Sequence, residues 1–243
     1  MKRYILIGFI VFLITILFTI PASIASKLLP KHITASQFDG NIWQGSASTF
    51  TVNKLNLGSV KWEIQPSCFF ILKLCADIQQ TNHQLSSSFS ITLRNSTVFK
   101  NLYATGDARV LDSLVNKFGI TLTGDFEADL NKLSITERRI DNIDGDIRFE
   151  KLAVNGVLRV LLGNLDSRFV PQDNYTVVSL ANQQGHVDLS GMANLFEDMS
   201  YELDMSIRQN QLSTDAVING MQFIGDQQSD GSVRLKHNGK LAL

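Results

Sequence analysis

The stretch from Tyr4 to Ile20 reads YILIGFIVFLITILFTI, seventeen positions whose only ionisable group is a tyrosine phenol. Nothing else in the chain limits its fate so strongly. Extended through Pro21 to Ala25, the apolar segment has twenty-two residues. As a helix it would measure about 33 Å, against a hydrocarbon core of about 30 Å. A helix in lipid satisfies all of its own backbone polar groups, so the expectation is an N-terminal transmembrane helix. Two processing grammars fit. Lys2 and Arg3 make a basic start, and Ser23-Ile24-Ala25 before Ser26 has the small-x-small form of a signal-peptide cleavage site. The apolar run exceeds the usual h-region of about 7–15 residues, and Pro21 precedes the site. An uncleaved anchor is therefore the favoured reading, with a cleaved signal peptide as the alternative. Both place residues 26–243 beyond the membrane. Lys27 and Lys31 weaken the positive-inside signal, but long domains translocate largely regardless of charge.

The remaining 218 residues suffice for one or two ordinary domains. A net charge of −1 without a basic cluster argues against nucleic-acid binding, which needs cations to neutralise phosphates. No Gly/Ser-rich linker divides the chain, so the plan is an anchor over 1–25, a polar membrane exit over 26–37 and one β-rich domain over 38–243. Period-two alternation marks half-buried strands. It runs through Thr49–Leu57, breaks at Gly58-Ser59, and resumes with Val60, Trp62 and Ile64 on one face until Pro66. Residues 85–105 alternate around a turn at Asn95-Ser96. Later, Gly124, Gly145, Gly156, Gly185 and Gly231 each read as a turn glycine ahead of a strand, at spacings too irregular for a solenoid. Tyr201 to Arg208 is the cleanest strand. Val110, Leu111, Leu114, Val115 and Phe118 form one helical stripe closed by Gly119, and a second short helix is expected over Ser213–Ile224, capped by Thr214 or Asp215. The fold class is mostly β: an N-terminal transmembrane helix, then a large curved antiparallel sheet with one or two short helices.

Cys68 and Cys75 lie seven positions apart around an apolar turn. Beyond the membrane the compartment is oxidising, and a disulfide is the expected state; two buried thiols in an apolar turn are the alternative. The spacing is not Cys-x-x-Cys, and a metal would need more ligands than the two thiols, so neither a redox pair nor a metal site is expected. Two tripeptides, Asn95-Ser96-Thr97 and Asn174-Tyr175-Thr176, fit the glycosylation sequon, a pattern with many chance matches.

The chain shows no Gly-x-Ser-x-Gly elbow, no His-Glu-x-x-His, no P-loop and no Gly-x-Gly-x-x-Gly. His32, His83, His186 and His237 are scattered. The best lookalike for a catalytic set is His186-Val-Asp188-Leu-Ser190, but alternate strand residues stand about 7 Å apart on one face, and proton transfer needs about 3 Å. The expectation is no enzyme, no cofactor and no metal. Trp43 and Trp62, beside Gly40, Gly45 and Gly58 and ahead of Pro66, read as structural aromatics, buried and fixing how the domain meets its anchor.

With the anchor ahead of them, Gly40-Asn-Ile-Trp-Gln-Gly45 and Leu57-Gly-Ser-Val-Lys-Trp62-Glu-Ile-Gln-Pro66 resemble the opening of the type II secretion system protein N family. Leu122-Thr-Gly124-Asp, Leu162-Gly163, Asp230-Gly231 and Gly239-Lys-Leu241 follow the same layout. The resemblance implies a single-pass inner-membrane protein of a Gram-negative cell with its bulk in the periplasm. Its role would be an accessory one, supporting export of folded proteins across the outer membrane through protein–protein contacts. Its partners would be other type II secretion components, the inner-membrane platform first and the secretin as a further candidate. The family is also similar to periplasmic AsmA-type β proteins, some of which handle lipid, so the alternative is a lipid-binding or envelope-maintenance protein. A hydrolase is a third, weaker class. The cysteines depart from the family pattern, and the family has no catalytic set to carry over.

Overall fold

The computed structural model describes residues 2–27, 33–52, 55–116, 119–136 and 139–241. The first helix, α1 (Lys2–Thr19), stops short of Ala25. Pro21 is the reason: it has no N–H to donate, and its ring disfavours helical backbone at Ile20. At the end of the helix the Thr19 hydroxyl turns back to donate to the carbonyls of Thr15 (2.9 Å) and Ile16 (3.1 Å). Pro21 then forms an isolated bridge with Asn41, and a 3₁₀ turn follows over Ala22–Lys27. Eighteen residues of helix make about 27 Å. Among the described residues no helix is long and apolar enough to cross a membrane, so the expected spanning helix is not found.

The chain forms two compact units, residues 1–94 and 95–243, where the sequence reading has one body from residue 38 onward. The first holds α1 and five antiparallel strands in chain order: β1 (Ile33–Gly40), β2 (Gln44–Val52), β3 (Leu55–Ile64), β4 (Leu74–Thr81) and β5 (Leu85–Leu93). β1 begins inside the stretch read as membrane exit, of which 28–32 lie outside the described residues, as do Asn53 and Lys54 of the expected Thr49–Leu57 strand. Gly58 does not interrupt β3. It sits within it at φ +75°, where the register against β2 shifts. The buried Gln80 clamps three strands: its amide donates to the carbonyls of Leu57 (2.5 Å) and Leu85 (3.2 Å), and its oxygen accepts from Ser87 (3.0 Å).

The second unit runs β6 (Thr97–Asp107), β7 (Thr121–Thr136), β8 (Arg139–Asn155), β9 (Arg159–Pro171), β10 (Tyr175–Gln183), β11 (Val187–Phe196) and β12 (Ser200–Gln209), all antiparallel and in chain order. β14 (Val233–Lys240) pairs with β12, and the two-residue β13 (Asp226–Gln227) lies outermost. Gly124 and Gly145 are not turn glycines; they lie inside β7 and β8, beside register shifts. At Gly145 (φ +140°) a Cβ would come within 2.6 Å of the Leu130 Cα, so only glycine lets the two long strands close up there.

The expected helix over 107–118 is smaller than its stripe. A 3₁₀ turn (Ala108–Leu111) runs into the four-residue α2 (Asp112–Val115), and Phe118 lies outside the described residues. Ala108 packs with Leu122 and Leu152 in a buried cluster, flanked by Leu111 and Val115. A third helix, α3 (Asp215–Met221), is capped by Thr214, whose hydroxyl accepts from the Val217 amide. Its buried face, Val217 and Met221, packs on Val187, Ile207 and Val233.

Candidate interaction sites

The family-like residues of the first unit converge on the end of α1. The β1–β2 turn is shaped by Asn41, whose side-chain oxygen accepts from the amides of Trp43 (2.9 Å) and Gln44 (2.8 Å). Ile42 at the centre of that turn is bonded through both of its backbone polar groups. Its N–H donates to the Ile20 carbonyl just past α1 (3.0 Å), and its carbonyl accepts from the Trp62 indole N–H (3.1 Å). Trp62 lies directly across from Gly45, where a Cβ would meet the indole Cζ2 at 2.7 Å. Gly45 is thus the space the indole occupies. Trp43 stacks on Phe18 of α1 (ring centroids 5.4 Å) and meets Phe69 edge-on (5.7 Å), while Phe38 packs edge-on against Trp62 (6.3 Å). Both tryptophans are half-buried, where the sequence reading expects buried aromatics. They cover the turn and remain partly open.

Pro66 starts a 3₁₀ turn, Pro66–Ile71, none of whose residues is buried. Cys68 and Cys75 are joined by a disulfide, with Cα atoms 5.9 Å apart. The loop it closes presents Phe69, Phe70, Ile71 and Leu72 to the outside, Phe70 at 92% and Leu72 at 81% exposure. Leu72 holds φ 54° and ψ 43°, left-handed backbone that costs a non-glycine residue about 1–3 kcal/mol.

In the second unit an apolar cavity of about 460 Å³ lies under α3. Val157, Leu162, Val187, Val217, Met221 and Phe223 are among its walls, and Phe223 at the rim is 88% exposed. Volume and lining fall within the range of small-ligand sites, but the few convergent polar groups usual in an enzyme pocket do not line it.

The histidine strand does not assemble a catalytic set. The backbone of His186 is held by the Leu161 carbonyl (2.7 Å) and the Ser213 hydroxyl (2.6 Å), and its Nδ1 is buried with no hydrogen-bond partner among the described residues. The Asp188 carboxylate accepts instead from the Asn210 amide (2.7 Å), and Ser190 is exposed on β11. Among the described residues no group of three or more potential metal ligands comes together. Charged side chains pair on the surface, across strands in Asp146–Arg168 (2.8 Å) and from strand to turn in Arg208–Asp230 (2.6 Å). Two turn carboxylates are held at about 2. Asp198 is lowered chiefly by the Ser200 hydroxyl, with its amide and Lys240 adding to it, and Asp230 chiefly by the Ser232 hydroxyl, with its amide and Arg208.

Sequence reasoning missed the outward display of Phe69–Leu72 and the cavity beneath α3. A signal existed for the second: Val217, Met221 and Ile224 recur at i, i+4 and i+7.

Fold and sites together define an antiparallel β protein whose conspicuous surfaces are aromatic and apolar. The chain belongs to the type II secretion system protein N family, whose model matches residues 31–236. It is therefore a component of a protein-transport system of the cell envelope, and membership implies interaction with other parts of that system. No curated protein and no solved structure matches the chain.

Proposed function

We propose that this protein is a non-enzymatic accessory component of type II secretion, held at the inner membrane and acting through contacts of its periplasmic sheet. α1, the helix within the segment 1–25, would form the anchor. The family match carries this reading. The joint at Ile42 supports it, because bonds to the N–H and the C=O of one residue tie the helix exit to the sheet. The non-enzymatic part draws on the strand geometry, in which the Asp188 carboxylate is engaged by Asn210 and not by the His186 Nδ1. Deleting the gene in a secreting strain should leave folded cargo in the periplasm, and the full chain should restore export. Undiminished export without the gene would refute the role. The protein should also stay in membranes after alkaline carbonate, at the mass of the full chain; a soluble species starting at Ser26 would refute the anchor.

A second reading rests on the cavity under α3, whose near-uniform apolar lining suits a hydrocarbon chain. Under it the protein binds lipid or serves envelope maintenance. Native mass spectrometry of the full chain extracted in mild detergent should then show bound phospholipid, lost when Val217→Trp fills the space.

A further inference from the structure

Phe69 packs on Trp43, but the exposure of Phe70, Ile71 and Leu72 leaves their apolar composition without a fold-stabilising task. Four consecutive apolar side chains face outward, from a turn in which no residue is buried. Exposed apolar runs of this kind mark surfaces that meet something apolar. The loop is also rigidly presented. The Cys68–Cys75 disulfide closes it, the Lys73 amide donates to the Cys68 carbonyl (3.0 Å), and the Leu72 amide donates to the Phe69 carbonyl (3.0 Å). Leu72 occupies left-handed backbone, a conformation suited to glycine or asparagine, yet carries a large apolar side chain directed outward.

Position names the occupant. Phe69 meets Trp43, and Trp43 stacks on Phe18, one residue before the end of α1. The helix itself exposes Ile5, Phe9, Phe12 and Ile16. Loop and helix exit are thus joined through one row of three aromatic rings, and the central one, a tryptophan, belongs to the residue types that favour the water–hydrocarbon boundary. The four loop side chains offer no charge and no hydrogen-bonding group to a protein partner, and Lys73 follows immediately, a cation suited to lipid phosphates. We propose that Phe69, Phe70, Ile71 and Leu72 form a second membrane contact, a disulfide-braced loop inserted into the outer-leaflet interface beside the end of α1. This rests on the reading of α1 as a membrane anchor. Two attachments would fix the tilt of the first unit on the bilayer, which a single helix leaves free.

The test places p-benzoylphenylalanine at one position at a time in the full chain, irradiates intact cells, and reads adducts by gel and mass. Position 70 probes the loop and position 9 probes α1. Position 84, in the turn at the opposite end of β4 from Cys75, is the aqueous reference. The expected result is phospholipid adducts at 70 and 9 and none at 84. Adducts of position 70 to a second copy of the chain or to another protein overturn the proposal. So does an unreacted position 70 while position 9 takes lipid, which leaves the anchor standing. No lipid at either position overturns loop and anchor together. Replacing Phe70 and Leu72 by serine, both exposed and therefore tolerable to the fold, should abolish the lipid adduct of a probe at position 71.

Discussion

The two units solve the same problem, holding an antiparallel sheet together, with different materials. The first, 1–94, sets aromatic and covalent contacts beside α1, three rings in a row, an indole bonded to a turn and a disulfide, and adds the Gln80 clamp across β3, β4 and β5. The second, 95–243, spreads them along strands of up to seventeen residues and buries an aliphatic cluster under α3. No large side chain among the described residues is completely buried, so neither unit relies on a thick core. A sheet with little cover must take its stability from register and from a few local clusters. The units differ in whether those clusters are aromatic and covalent or aliphatic and helical.

The strongest way to break the comparison is Val217→Asp. A charge in the cluster of Val187, Ile207, Met221 and Val233 should cost about 4 kcal/mol and undock α3. Hydrogen exchange should show β11, β12 and β14 losing protection while β1–β5 keep theirs. Equal loss in both units would show that they unfold as one. Trp62→Ala should reverse the pattern, at about 2–3 kcal/mol because the indole is only half-buried. Trp62→Phe, which keeps a ring but loses the N–H donated to Ile42, should cost about 1 kcal/mol. Denaturant titration of the two variants separates packing from hydrogen bonding.

Replacing both Cys68 and Cys75 by serine should lower stability by about 2 kcal/mol in the first unit alone, a modest effect because the loop is short. In wild-type protein from the periplasm, alkylation without reductant should leave both cysteines unmodified by mass. Acidification should single out the second unit. Asp198 and Asp230 titrate at about 2, below the ordinary carboxylate range. Their contribution is therefore complete above about pH 4 and fades as the pH falls towards 2. Both are exposed, so salt should weaken the effect. Amide exchange at 198–200 and 230–232 should accelerate over that window. Smallest of all, Ser190→Ala at an exposed position should change stability by no more than about 0.5 kcal/mol, and export of cargo should be unchanged in it and in His186→Ala. An abundant His186→Ala protein that cannot export would reveal a site on β11.

The strands were legible because alternation is a local property. Val60, Trp62 and Ile64 needed no distant partner to be recognised. Gly124 and Gly145 were misplaced for the opposite reason: a bulge depends on the neighbouring strand, and a glycine read alone looks like a turn. The end of α1 was overrun because hydropathy does not change at Pro21, although backbone geometry does. The apolar run at Phe69–Leu72 reads as interior, since composition does not say which side of a loop meets water. The cavity under α3 was beyond reach, because Leu162, Val187 and Val217 meet only once β9, β11 and α3 are assembled.

The pair of bonds at Ile42 has a mechanical consequence. A helix joined to a sheet by bare chain can swivel about its own axis. Here the bonds to Ile20 and from the Trp62 indole fall on the two peptide groups that flank the Ile42 Cα, one on the N–H and one on the C=O of the same residue. Twisting α1 pulls on the Ile42 N–H, while the stacked Phe18 and Trp43 rings resist the same rotation. Torque applied to the helix is therefore delivered to β3 through Trp62 rather than dissipated at a loose hinge, and the first unit turns with its helix.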